Sequence, residues 1–167
     1  MNYTYCPQCK HPLETRKNSF YCPSCDLEIY QNSKPCVSVL IVKDGKVLLA
    51  KRGIEPYKGS YDTVGGFLKY GEPAEVGALR ETKEETGLDV RLIEILGTYI
   101  NQYGENGVYT LDVDFIAEIT GGEMQAQDDV AELEWVDIHD IPFEEIRFAS
   151  AKKGLEDLQK WYEAKNS

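Results

Sequence analysis

The sequence predicts an α/β fold: a mixed β-sheet between helices, preceded by a small ribbon. Three observations carry that expectation. Four of the five cysteines fall into two C-P-x-C turns near the start. Runs rich in β-branched residues, separated by turn residues, fill the middle. Two helical stretches, one dense in glutamate, complete the pattern. A chain of 167 residues that is 42% hydrophobic has room for one ordinary domain and a small appendage. The ribbon is placed at residues 1–33 and the main domain at 37–167.

Cys6, Cys9, Cys22 and Cys25 stand as C-x2-C-x12-C-x2-C, close to the pattern of a four-thiolate zinc site. Each turn can aim two sulfurs at one tetrahedral ion, and the span between them suits a short hairpin. A segment of about 30 residues buries too little to fold alone, so structural Zn²⁺ supplies the missing stability. Disulfides run against a reducing cytosol, and a redox C-x-x-C would not come twice. With four thiolates the site is closed, which leaves His11 as a surface residue. Cys36, alone before an apolar run, reads as a buried thiol.

The link "YQNSKPC" leads into "CVSVLIV" and "KVLLAKR", which flank "KDG" as a hairpin. "YDTVGGFL" reads as a short strand broken by a glycine pair. "PAEVGALRETKEET" is a helix with Pro73 in its first turn and Gly87 past its end. "RLIEILGTYINQY" and "VYTLDVDFIAEI" are two strands paired through "GENG", and "LEWVDI" is another. An amphipathic helix from about Phe148 to Ala164 closes the chain.

Charge sets limits on partners. The balance of 18 basic and 29 acidic residues leaves −11, and so acidic a surface repels phosphate backbones. Nucleic acid is therefore not an expected partner, and a phosphorylated small molecule would need local Arg, Lys or a cation. No stretch approaches the ~20 apolar residues of a membrane span. "MNYTYCPQCK" lacks the apolar core of a signal peptide, so a cytoplasmic location with no membrane partner is expected.

The glutamate-rich helix holds the chemistry. Glu81, Glu84 and Glu85 share one face, where like charges repel, close to the helix C-terminus that disfavours anions. A solvated acidic face is the plain reading of such a run. Yet Ala74, Gly77 and Ala78 continue the same side, while Val76 and Leu79 point the other way. A glycine costs about 1 kcal/mol in a helix interior, so Gly77 implies room beside the acids for something bulky. Hard divalent cations, which prefer carboxylate oxygen, would relieve the repulsion.

Residues 66–88, "GFLKYGEPAEVGALRETKEETGL", resemble the Nudix hydrolase signature G-x5-E-x7-R-E-U-x-E-E-x-G-U, where U is aliphatic. Gly66, Glu72, Arg80, Glu81, Glu84, Glu85 and Gly87 match, and Thr82 replaces the first U. The resemblance implies a mixed sheet between helices and hydrolysis of a nucleoside diphosphate linked to another moiety, with Mg²⁺ or Mn²⁺. It implies Glu81, Glu84 and Glu85 as metal ligands with a Gly65 or Gly66 carbonyl, and Arg80 orienting the glutamates. Glu72 would reach the metals through water or brace the loop, and Arg52 would hold a substrate phosphate unless its role is a surface one. The general base is expected after the box, from Asp128, Asp129 or Glu132, with Glu132 favoured.

A zinc ribbon before such a domain resembles the NADH pyrophosphatases. Their S-Q-P-W-P-F-P-x-S motif is absent, and "DVRLIEILGTYINQYG" stands in its place. The proline that marks many ADP-ribose pyrophosphatases past the box is absent too. The implied substrate is an ADP-ribose, NADH or FAD type of molecule, on which Tyr99, Tyr103 or Tyr109 could stack unless they are packing residues. A homodimer is among the partners the resemblance allows. The reading from another class is a non-catalytic, nucleotide-sensing regulator that uses the ribbon to bind a partner; a box that keeps every ionisable position argues against it.

Overall fold

The structure is a computed structural model that describes residues 3–104 and 107–166. It divides into two compact units, Met1–Ser33 and Lys34–Ser167. The first is a three-stranded antiparallel sheet of β1 (Glu14–Thr15), β2 (Ser19–Cys22) and β3 (Leu27–Tyr30) in that order. Lys10 and Asp26, each just after a cysteine pair, take positive φ and turn the chain back on its knuckle. Phe20, Cys6 and Cys22 are its buried apolar residues, a very small core.

The second unit is built on one mixed sheet. Its strands are β4 (Lys34–Lys43), β5 (Lys46–Arg52), β6 (Tyr61–Asp62), β7 (Val64–Phe67), β8 (Leu88–Gln102), β9 (Tyr109–Gly122) and β10 (Val130–Asp137). The order is β10-β5-β4-β9-β8, with β6 on β5 and β7 on β4. Among the described strand-to-strand pairings only β4–β9 is parallel, which makes the sheet mixed as expected. The "KDG" hairpin forms through Asp44 and Gly45, both at positive φ. The β8–β9 pair also forms, though Glu105 and Asn106 of its "GENG" turn lie outside the described residues.

The near-continuous apolar runs of β4, interrupted at Ser38, and of β5 have a simple cause: both faces of the sheet are covered. Leu40, Val47, Leu49 and Ile116 pack with Leu155 and Leu158 of α2 (Ala149–Asn166) on one face. Val37, Val39, Ile41, Leu48, Ala50 and Phe115 pack with Ala78 of α1 (Ala74–Thr86) on the other. β4 also changes partner along its length. Val42 and Lys43 pair with β5, whereas Cys36 to Val39 pair with β7. β5 and β7 therefore fork apart, and the fork opens beside Gly65 and Arg52. No described helix is long and apolar enough to cross a membrane.

One expectation about α1 is corrected. Its small face does not leave room for a ligand, because the protein fills it. Gly77 and Ala78 are buried, and a methyl on Gly77 would stand 2.2 Å from Leu68 Cδ2. Val76 and Leu79, the bulky aliphatics, are exposed. The small residues let the helix lie close to its neighbours, which carries Thr82 and Glu85 into the interior.

Candidate active site

Arg80 organises the acidic face. Its Nε and Nη2 donate to Glu72 Oε1 and Oε2, both at 2.7 Å, in a two-pronged grip. Its Nη1 donates to Glu81 Oε1 at 2.6 Å and Glu84 Oε2 at 2.8 Å. The guanidinium thus relieves the repulsion between Glu81 and Glu84 that a bare helix would suffer. Its grip, with the Lys69 N–H behind it, holds the Glu72 carboxyl down to about 2. Glu84 is likewise held below the usual range by Arg80, while burial raises Glu81 despite the same neighbour.

Glu85 is different. It is 6% exposed; its carboxylate accepts from the Gly65 N–H at 2.9 Å and also meets the Asp129 carboxyl. Burial, with Asp129 and Glu81 adding repulsion, pushes its carboxyl up to about 9. No side-chain cation of the described chain reaches it. The glycine pair makes this arrangement sterically possible. Gly65 has φ +148°, and a Cβ there would lie 2.1 Å from the Val37 carbonyl. A Cβ on Gly66 would lie 2.9 Å from the Glu81 carboxylate.

A pocket of about 110 Å³ opens on the α2 side of the fork. Arg52, Asp62, Gly65, Gly66 and Asp129 line its mouth toward the glutamates. A smaller cavity lined by Glu85 shares Arg52, Asp62, Thr63, Gly65 and Asp129 with it, so the buried acid and the pocket adjoin. Arg52 donates to the Pro56 carbonyl at 2.7 Å and to Asp62 at 3.0 Å, and it lies 5.0 Å from the centre of the Phe148 ring. Its Nη2 is buried with no partner among the described residues. Burial raises Asp62 to about 6 although Arg52 pulls the other way.

Not every sequence candidate arrives here. Of the three loop acids, Asp129 lines both cavities; Asp128 is exposed, and Glu132 pairs with Lys51 on the outer strand β10 with 60% of its side chain exposed. β10 pairs with β5 through a register shift between Val130 and Glu132, and Glu132 is not among the residues that line either cavity. Of the tyrosines, Tyr103 lines the pocket, Tyr99 bonds to Asp157 of α2, and Tyr109 is exposed. Sequence reasoning passed over Asn101, Thr110, Asp112, Phe148 and Ser150, which also line the pocket.

The cysteines form a separate centre. Cys6–Cys25 and Cys9–Cys22 Sγ distances are 3.6 and 3.4 Å, and the four Sγ atoms lie within 4.8 Å of one another with no disulfide. Zn–S bonds of about 2.3 Å in a tetrahedron put sulfurs about 3.8 Å apart, so the donor set fits zinc. Among the described residues this is the only group of three or more such ligand atoms so tightly gathered.

Comparison with known proteins agrees with this picture. The family model described as "NUDIX domain" matches residues 32–158. An ADP-ribose pyrophosphatase of Methanocaldococcus jannaschii is 35% identical over 80% of this chain and 77% of its own. An NAD-capped RNA hydrolase NudC of Pseudomonas entomophila is 33% identical over 84% of this chain, which spans only 50% of that relative. The crystal structure of a NUDIX hydrolase from Nitrosomonas europaea superposes with a TM-score of 0.77 at 26% identity, covering 95% of this chain and 91% of that one.

Proposed function

The chain belongs to the NUDIX domain family as a Nudix pyrophosphohydrolase, and from that premise we propose that it cleaves a nucleoside diphosphate linked to another moiety, ADP-ribose or NADH before FAD. The product is a nucleoside monophosphate. The observation that carries this reading is a buried carboxylate, Glu85, that lacks a cationic partner and stands next to a pocket large enough to accept part of a nucleotide. The relative matched over 77% of its length is named for ADP-ribose; the NudC relatives, named for NAD-capped RNA, share the same kind of pyrophosphate link.

The acids fit hard divalent cations, Mg²⁺ or Mn²⁺. Glu81, Glu84 and Glu85 offer carboxylate oxygens, and the Gly66 carbonyl lies in the backbone beside Glu81. When bound, such cations neutralise the pyrophosphate and lower the pKa of the attacking water. The residues of the chain do the rest. Arg80 holds Glu81 and Glu84 in place, and the Gly65 N–H orients Glu85. Arg52, with its free Nη2, takes a phosphate oxygen. Asp129 accepts the proton from water, a role supported by its lining both cavities where Glu132 lines neither.

The test is incubation with Mg²⁺ and ADP-ribose, NADH, FAD, nucleotide sugars or dinucleoside polyphosphates in ¹⁸O-water. Label should enter a phosphate of a nucleoside monophosphate or of its partner. Cleavage of p-nitrophenyl phosphate with refusal of every pyrophosphate would show the reading to be wrong.

A further inference from the structure

The pocket has two kinds of wall. One is aromatic: Tyr103 and Phe148 are stacked with centroids 5.6 Å apart, and Phe67 meets Tyr103 edge-on at 5.4 Å. The other is polar and comes from Asn101, Thr110, Asp112 and Ser150. Asp112 is 9% exposed, and its carboxylate accepts from the Thr110 hydroxyl at 3.0 Å. Its hydrogen-bond partners are the Thr110 and Ser150 hydroxyls, Asp114 and Asp62 are its charged neighbours, no cation of the described residues pairs with it, and burial raises its carboxyl above the usual range. Asn101 pairs with Thr110 across the β8–β9 ladder, and its Oδ1 accepts from the Ala149 N–H at 3.2 Å. That fixes the amide with its NH₂ end turned from Ala149.

β9 explains why these groups are not ordinary surface residues. In "YTLDVDF" the alternation is inverted: Thr110, Asp112 and Asp114 are buried, while Tyr109 and Leu111 are exposed. A strand that hides carboxylates and shows aliphatics violates its own hydrophobic pattern, as functional positions do. A buried carboxylate bonded only to hydroxyls gains most when a ligand brings it an N–H.

Resting on the pyrophosphohydrolase reading above, we propose that Asp112, with Asn101 beside it, sets the specificity of this pocket for a heteroaromatic ring bearing an NH₂ group. Asp112 accepts from that NH₂, Asn101 donates to the neighbouring ring nitrogen or carbonyl, and the aromatic wall covers the ring face. An analogue that places an oxygen where the NH₂ belongs meets a carboxylate and is rejected. Both the adenine amine and the nicotinamide carboxamide carry this chemistry, and the pocket's junction with the Glu85 cavity leaves the pyrophosphate at the acids in either case.

The experiment uses the whole chain. Binding is measured by calorimetry for AMP against IMP, and for nicotinamide mononucleotide against nicotinic acid mononucleotide. The ratio of kcat/KM is measured for ADP-ribose against its hypoxanthine analogue, and for NADH against its nicotinic acid analogue. Wild type should prefer the NH₂ compound by about tenfold or more in one arm, and that arm identifies the ring held. Asp112→Asn, whose amide can both give and accept, should shrink the ratio to about threefold or less; Asp112→Ser serves should that variant fail to fold. Wild-type ratios within about twofold in both arms, or an undiminished ratio in folded Asp112 variants, would overturn the proposal. Because binding needs no turnover, failure of cleavage alone would count against the hydrolase reading and leave this one to be decided by the mononucleotides.

Discussion

Asp114 offers the sharpest test of how the interior is built. It is fully buried on β9, and neither carboxylate oxygen has a well-formed hydrogen bond among the described residues, the Ser38 hydroxyl giving only partial relief. A methyl on Gly154 of α2 would stand 2.1 Å from its Oδ2, so the helix backbone closes over it. Burial, and then repulsion from Asp112, pushes its carboxyl from 3.8 up to about 8. The sign follows from linkage. Below the unfolded value both states are protonated and there is no penalty. As pH rises from there toward about 8, the unfolded chain ionises while the folded one stays neutral, and stability is lost. At about 1.4 kcal/mol per tenfold, the whole rise is worth about 6 kcal/mol. That is a large share of the ~5–15 kcal/mol that holds a domain together, so a third of it is easily measured. Asp114→Asn has nearly the same shape and does not ionise. Urea unfolding at pH 5 and pH 9 should show the wild type losing at least about 2 kcal/mol more than the variant over that range. Parallel pH curves for the two proteins would refute the reasoning.

Other consequences are open to simpler measurement. Glu85→Gln and Glu81→Gln should each lower kcat with Mg²⁺ by orders of magnitude while the melting temperature holds or rises, since each removes cation-holding charge; near-normal kcat in Glu85→Gln would sink the metal assignment. Asp129→Asn should depress kcat far more than Glu132→Gln, because only Asp129 lines the cavities; the reverse ranking in steady-state kinetics would restore Glu132 as the base. Purified, reduced protein should carry about one zinc per chain by elemental analysis, and Cys22→Ser should unfold the ribbon while activity of the main domain survives. Gly65→Ala should destabilise by about 2–4 kcal/mol in thermal or urea melts, because its Cβ would strike the Val37 carbonyl at a strained φ.

How much of this was legible in the sequence depended on the range of the interaction. The four cysteines, the "KDG" turn and the span of α1 are local, and each was readable from spacing and turn chemistry. The two-sided burial of β4 was written in its apolar run, which is broken only at Ser38. α1 misled because helical spacing tells which residues share a face, not which face turns inward: the small side, not Val76 and Leu79, was buried. The inward face of β9 was likewise hidden. Alternation puts Thr110, Asp112 and Asp114 on one side, but their polarity alone would send that side to solvent, and it is buried. Glu132 and Asp129 could not be told apart without the register shift that separates their neighbourhoods. Nothing local could bring Asn101 and Phe148 to Cys36.

The site therefore comes from two differently written parts of the gene. Everything from Gly65 to Glu85, which holds the acids and their supports, is one short continuous stretch. The pocket wall is assembled from positions scattered between Cys36 and Ser150. On the proposed reading, a mutation inside the first stretch strikes bond cleavage itself. On the same reading, a mutation in the ring-holding wall of Asn101, Tyr103, Thr110, Asp112 and Phe148 changes what is held without touching how it is cut, whereas Arg52 and Asp129 belong with the acids. Ancestral chains could thus have exchanged one nucleotide partner for another by single replacements, with the cleaving apparatus inherited intact.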